Sequence, residues 1–225
     1  MAEHFSVDLG AGLAVEARFT DASDGDFRVR SPEPGLPGRR QAIVDRPWSW
    51  IKQVHGNQVL QVSEPGQHGG EEADGLYTTA FGCPIAVTTA DCAPVLLVAE
   101  RGVAVVHAGW RGLVEGIIER AGERLTAVAG RPVRAYLGPC IGPDAYEFGR
   151  SELNLVIDRL GSTVESVTSD GALALDMPSA VGAACEAAGW EAPETPACTS
   201  DTKFFSHRTR ADQGRQTLVA WLTNG

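Results

Sequence analysis

The chain predicts an α+β fold, a single-domain sandwich in which helices pack on a mixed β-sheet. Three observations carry that expectation. Ile85–Thr88, Pro94–Ala99 and Val103–Val106 are short runs of mostly β-branched and aliphatic residues between turn signals, and they predict buried strands. Leu113, Ile117, Ala121 and Leu125 recur at four-residue spacing with Glu and Arg opposite, which predicts an amphipathic helix over Leu113–Val128. The other strand and helix signals intermix without a clean strand–helix–strand alternation.

Taken in order, Phe5–Leu9 and Leu13–Phe19 flank Gly10-Ala11-Gly12 and predict a hairpin. Asp21–Arg40, rich in Gly, Pro and charge, predicts an exposed loop. Trp48–Val54 and Gln58–Val62 predict a second hairpin with His55-Gly56-Asn57 at its turn. Glu64–Gly75 has the composition of a mobile acidic loop, a candidate lid over a cleft. Val133–Leu137 predicts a strand, Cys140–Pro143 a tight loop and Ala145–Phe148 an extended piece. Ser151 is placed to cap a helix whose apolar face is Leu153, Val156, Ile157 and Leu160. Asp176 is placed to cap another, with Pro178 in its first turn and Gly189 as its stop. Phe204–Phe205 and Thr217–Leu222 predict closing strands around the polar turn His207–Gly214. No internal repeat or linker divides the chain, so residues 1–225 are expected to form one domain.

Composition narrows the function. The net charge of −10 argues against nucleic acid or an anionic membrane surface as the main partner. It leaves an anionic small substrate open, since one arginine pocket is enough for phosphate. No apolar run approaches the roughly 20 residues of a membrane helix. MAEHFSVDLG lacks the pattern of a secretory signal, so a cytoplasmic location is expected. The five cysteines, 83, 92, 140, 185 and 198, include no CxxC pair and are expected to be free thiols.

The chemistry concentrates at strand ends between Cys83 and Gly112, where a rigid sheet can present reactive side chains. His55, Cys92 and His107 each end an apolar run. Two imidazoles and a thiolate form a ligand set for catalytic zinc, with a fourth position left for water. The alternative is that the histidines cap strands and Cys92 packs as a small core residue. Copper is a less favoured ion: a His2Cys copper site usually adds an axial Met, and only Met1 and Met177 exist. With five histidines, the chain has too few imidazoles for a multicopper oxidase.

Six ordered blocks carry a resemblance: KQVHG (52–56), ADGLYT (73–78), TADCAPVLL (89–97), VHAGWRGL (106–113), LGPCIGPDAYEF (137–148) and FFSHR (204–208). They resemble the signatures of the laccase-domain proteins, also described as multifunctional purine nucleoside phosphorylases, with bacterial members described as peptidoglycan editing factors. The resemblance implies zinc on His55, Cys92 and His107. It also implies phosphorolysis of adenosine, inosine and methylthioadenosine, plus adenosine deamination. The implied fold is a sandwich similar to that of cysteine-dependent deamidating toxins. Two departures stand out. Asp21 occupies the place of an arginine in the family's N-terminal block, and Ala145 follows Asp144 where a second cysteine is common. The second departure argues against a paired-thiol role for Cys140.

Around these ligands, Cys92, Asp91 and Arg111 are the candidate catalytic residues. Arg111 offers a planar fork to phosphate or a purine edge, its alternative being a surface ion pair. Asp91 either orients a ligating histidine or acts as a structural cap. Lys52, Gln53, Cys140 and His207 are candidates for substrate contact, each with a structural alternative. Phe204, Phe205 and Tyr146 are stacking or core aromatics. A rival scheme makes Cys92 a nucleophile with His107 as its base and no metal, and that scheme does not need His55. A third makes the protein a cell-wall quality-control factor acting on a precursor or binding a ligase.

Overall fold

The structure is a computed structural model that describes residues 3–131 and 133–224. Its strands form two five-stranded sheets. The first runs in the order β1 (Glu3–Gly10), β2 (Leu13–Phe19), β12 (Gln216–Asn224), β6 (Ile85–Thr89) and β3 (Ser49–Trp50). The second runs β4 (Val59–Val62), β5 (Gly75–Thr78), β8 (Gly102–Ala108), β7 (Ala93–Ala99) and β9 (Arg134–Leu137). Both are mixed, since β3 lies parallel to β6 and β4 parallel to β5 while the other neighbours are antiparallel. A short hairpin, β10 (Glu165–Val167) with β11 (Leu173–Leu175), stands apart.

The two sheets face each other across Val15, Ile85 and Leu218 on one side and Leu76, Leu96 and Val105 on the other. The outer face of the second sheet carries α3 (Ile117–Ala129), α4 (Arg150–Leu160) and α5 (Met177–Ala187), packed around Val95, Leu97 and Val106. The outer face of the first is covered by α1 (Leu36–Ile43) with Phe27 and Trp48, against Ala86 and Val219. Strand β7 shows the sequence logic. Val95 and Leu97 point to the helices, Leu96 and Val98 to the facing sheet, so burial on both faces produces an unbroken apolar run.

The N-terminal hairpin forms as expected, with Val7 opposite Val15 and left-handed backbone at Gly10, Ala11 and Gly12. The second expected hairpin does not. Ser49–Trp50 joins the first sheet and Val59–Val62 the second, so the segment between them crosses from sheet to sheet. Gln53 ties the crossing to β6, its carboxamide donating to Thr88 O at 2.7 Å and accepting from Thr88 N at 2.9 Å. The predicted Leu113–Val128 helix is two helices, α2 (Trp110–Val114) and α3, separated by Gly116 in the left-handed region at φ +78°. Apolar spacing continues through such a break, which is why periodicity alone misses it.

Asp176 caps α5 through Ser179 N at 2.9 Å, and Gly189 follows the helix at φ +79°. Ser151 caps nothing: α4 begins at Arg150 behind Gly149, and the Ser151 hydroxyl donates to Glu152. Asp21–Arg40 is only partly an open loop, since it holds a short 3-10 turn, a buried Phe27 and the start of α1. Pro143–Ala145 is likewise a 3-10 turn, and Glu147 is extended in a single bridge to Ala174. Glu64–Gly75 is fastened rather than free. Gln67 accepts the N–H of Ser63, Gly70 N donates to Trp50 O, and the stretch ends with buried Asp74 and the first residue of β5. Phe204–Phe205 forms no strand. Ser206 caps the short helix α6 (His207–Arg210) by accepting from Thr209 N. No helix among the described residues is long and apolar enough to cross a membrane.

Candidate metal centre

Three segments bring the ligand side chains together. The sheet-crossing segment delivers His55, the β6–β7 turn delivers Cys92, and β8 delivers His107 close to its end. One ligand atom from each lies within 4.8 Å of the other two. Cys92 Sγ stands 3.8 Å from His55 Nε2, and the two imidazole centroids are 4.8 Å apart at 82°. Ligand atoms around a tetrahedral zinc are roughly 3.3–3.7 Å apart, given bonds of about 2.0–2.3 Å. The trio therefore fits one ion with small side-chain adjustments. It is the only such group of His, Cys, Asp and Glu among the described residues. His107 is buried, Cys92 half-buried and His55 exposed, so the cluster opens outward on the His55 side.

Asp74 organises the centre. It is completely buried, and its Oδ1 lies 2.8 Å from His107 Nδ1. The same carboxylate accepts the backbone N–H groups of Val54 at 3.2 Å, His55 at 2.9 Å and Gly56 at 2.8 Å. Those bonds hold His55 in the left-handed region, φ +62°, a conformation a non-glycine residue adopts only when its surroundings impose it. Burial pushes the Asp74 carboxyl up, but the His107 bond and charge and the N–H donors outweigh it and hold it below its ordinary 3.8. Sequence reasoning missed Asp74 as a functional residue. The signal was an acid at the head of the apolar strand Gly75–Thr78, inside the ADGLYT block.

Asp91 is not the residue that orients a histidine. At φ +95° it turns its side chain away from the ligands. Its Oδ1 accepts from Thr199 Oγ1 and Ser206 Oγ, both at 2.7 Å, and its Oδ2 from Arg208 N at 2.7 Å. Its carbonyl accepts from Ile141 N at 2.9 Å. Asp91 thus gathers three C-terminal and mid-chain loops behind the Cys92 turn.

In the absence of an ion, burial raises the Cys92 thiol, yet the charge and hydrogen bonds of His107 and His55 bring it down to about 6. For His107, burial lowers the imidazole, and Cys92 with Asp74 lifts it to about 9. Both directions describe a thiolate beside an imidazolium, the deprotonated sulfur that a metal requires. Gly109 is the close neighbour that makes room. A Cβ there would stand 2.7 Å from His55 Cδ2 and 3.5 Å from Cys92 Sγ.

Beside the trio runs an aromatic ladder. Trp110 meets Phe148 edge to face at 5.6 Å, and Phe148 meets Tyr146 at 5.2 Å. Arg111 lies over the Trp110 ring at 4.5 Å and Arg208 over Tyr146 at 4.9 Å. Burial, and then the nearby Cys92, push the Tyr146 phenol well above its ordinary value, so it stays protonated. Arg111 and His207 are exposed. Lys52 pairs with Glu72 at 2.6 Å, and Gln53 is committed to Thr88. Cys140 and Phe204 are buried. Although the Cys140 loop lacks a second cysteine of its own, the fold sets Cys198 beside Cys140. Asp21 caps the 3-10 turn through Ser23 N at 2.8 Å and lies 3.8 Å from Lys203. Grooves of 840 Å³ along β9 and 570 Å³ beside Trp48 include none of the three ligand residues, although Asp21, Lys203 and Phe204 line the first.

Comparison with known proteins supplies the lineage. Residues 37–223 match the family described as multi-copper polyphenol oxidoreductase laccase. A protein of Xylella fastidiosa named purine nucleoside phosphorylase is 36% identical over 188 residues, covering 77% of this chain and 71% of that one. Another so named, Rv2149c of Mycobacterium tuberculosis, is 32% identical over 228 residues, covering 99% and 84%. Among solved structures, YfiH of Bacillus licheniformis superimposes with a TM-score of 0.81 at 23% identity, covering 93% of each chain. YlmD of Geobacillus stearothermophilus gives 0.78 at 24%, covering 96% of this chain and 93% of that one. With its fold, its ordered blocks and these matches in agreement, the chain belongs to the laccase-like family of multi-copper polyphenol oxidoreductase description that includes YfiH.

Proposed function

We propose that this protein is a zinc-dependent purine nucleoside phosphorylase, acting on adenosine, inosine and methylthioadenosine, that also deaminates adenosine. The observation that carries the reading is the convergence of His55, Cys92 and His107 with Asp74 behind them. The names of the relatives support it. Zinc held there supplies Lewis acidity and draws the pKa of water toward about 7.

The chain's own residues do the rest. Asp74 accepts the Nδ1 proton of His107, which leaves the Nε2 lone pair facing the centre and fixes the ring. Through three N–H bonds it also fixes the loop that carries His55. Arg111, stacked on Trp110, offers its fork to phosphate. Tyr146, Phe148 and Arg208 give a purine an aromatic wall and a protonated hydroxyl. Gln53 acts by positioning the His55 segment, and His207 and Lys52 stand at the margin. Five histidines, and a single three-ligand group among the described residues, do not provide for a multicopper cluster.

One observation favours a second reading. Without metal, Cys92 and His107 form a thiolate–imidazolium pair, the resting state of a Cys–His hydrolase. Such a dyad would suit an editing role on a cell-wall precursor. The test uses zinc-loaded protein, chelator-stripped protein and protein reloaded with zinc, each given adenosine and phosphate. Adenine with ribose 1-phosphate reports phosphorolysis, and inosine reports deamination. The proposal expects turnover to vanish on stripping and return with zinc. Undiminished turnover by stripped protein would reject it in favour of the dyad.

A further inference from the structure

Cys140 and Cys198 lie outside the ligand trio, on two loops that the fold brings side by side. We infer that they are an oxidation site, a thiol pair that closes into a reversible disulfide when a hydroperoxide reaches Cys198. The two residues pair directly in a parallel bridge, and Thr199 N donates to Cys140 O at 3.0 Å. Neighbouring strands lie about 4.8 Å apart, inside the range of about 4.4–6.8 Å between the Cα atoms of a disulfide. Side chains of directly paired residues leave a sheet on the same side.

The two sulfurs have unequal surroundings, which assigns their roles. Cys198 is half-buried and next to exposed Ser200, whereas Cys140 is fully buried. Cys198 Sγ accepts from Gly142 N at 3.1 Å, Ser200 N at 3.4 Å and Ser200 Oγ at 3.1 Å. It is therefore the more accessible sulfur of the two, with three donors aimed at it. Gly142 permits this approach, because a Cβ there would lie 3.3 Å from Cys198 Sγ. Burial, and then the adjacent Cys198, hold the Cys140 thiol well above its ordinary value, so it keeps its proton until the second step.

The steps balance. Cys198 sulfur attacks the terminal oxygen of the hydroperoxide. The O–O bond breaks, the alkoxide leaves with the thiol proton as an alcohol (water, for hydrogen peroxide), and a sulfenic acid remains. Cys140 sulfur then attacks the sulfenic sulfur. The S–O bond breaks, hydroxide departs with the Cys140 proton as water, and the disulfide forms. The two thiols together lose two electrons, which reduce the peroxide, and a thiol or phosphine reductant reverses the bond. The link would join two of the three loops that Asp91 gathers, since Thr199 Oγ1 and Ile141 N both bond to it.

The test exposes zinc-loaded, full-length protein to hydrogen peroxide, with free cysteine in a parallel tube as a control. It then blocks thiols with N-ethylmaleimide in denaturant and maps unreduced peptides by mass spectrometry. The expected result is a Cys140–Cys198 peptide pair lighter than its parts by two hydrogens and abolished by a phosphine. In Cys140→Ser, dimedone should trap the sulfenic acid at Cys198. The inference is overturned if both cysteines of the wild type emerge as separate maleimide adducts at an exposure that converts the control to cystine. A link from either one to Cys92, or irreversible oxidation of Cys198 without any link, overturns it equally.

Discussion

The Asp74 carboxylate meets His107 Nδ1 at 2.8 Å while accepting the N–H groups that hold His55 in place, so a single buried acid sets both imidazoles of the centre. Replacing it with Asn keeps the shape but removes the charge and places an NH2 where N–H donors point. Asp74→Asn is expected to weaken zinc binding by about 10–100-fold, the usual cost of losing such a partner. Competition against a chromophoric chelator measures it. Stability responds as well. Because the folded carboxyl is held below 3.8, its stabilisation is present above that value and is lost as pH falls through the folded pKa. Acid titration of metal-free wild type should show this loss, and Asp74→Asn should lack it.

Gly109 tests the packing of the centre apart from its charges. Its φ of −80° suits any residue, so Gly109→Ala adds only a methyl group, aimed at His55 Cδ2 2.7 Å away. The imidazole must move. Zinc affinity is expected to fall by at least about tenfold with little change in melting temperature of the metal-free protein. An unchanged affinity would show that His55 is not a ligand.

Much of this is legible in the sequence, and what is not legible shares one cause. Strands β6, β7 and β8 declare themselves because burial on both faces yields short unbroken apolar runs. The ligand trio was legible as reactive residues ending such runs. The sheet crossing at residues 51–58 was not, because local pattern shows that Trp48–Val54 is extended and not which strand it pairs with. Asp74, to which the sequence assigns no role, orients the histidine, and of the two roles open to Asp91 the structure shows the structural one, for the same reason. Which acid faces a histidine depends on how β5 and β8 register, Gly75 opposite Val106, and not on adjacency to Cys92. The Cys140–Cys198 neighbourhood is not legible in the sequence because a contact between distant loops leaves no spacing to read.

Asp91 acts on the architecture behind the site. Asp91→Ala leaves Thr199 and Ser206 hydroxyls and Arg208 N–H without their acceptor. A loss of about 3 kcal/mol is expected, since each orphaned buried donor costs about 1–3 kcal/mol. Chemical denaturation of the metal-free variant measures it. A change below about 0.5 kcal/mol would contradict the role.

The Cys92 thiol offers a pH signature. Metal-free protein should react with iodoacetamide at Cys92 with a midpoint near pH 6, because His107 and His55 outweigh burial and favour the thiolate. The imidazolium partner persists until pH rises through about 9. A Cys–His hydrolase would therefore show a bell-shaped rate profile with limbs near those two values. Bound zinc should suppress the alkylation. A midpoint near an ordinary thiol's 9.0 would contradict the coupling.

X-ray absorption at the zinc edge, on protein carrying one zinc per chain, addresses the coordination itself. The account predicts one sulfur at about 2.3 Å, two imidazole nitrogens at about 2.0 Å and one further light atom. In Cys92→Ala the sulfur shell should disappear. A spectrum without sulfur in the wild type, or one unchanged by that substitution, would contradict it.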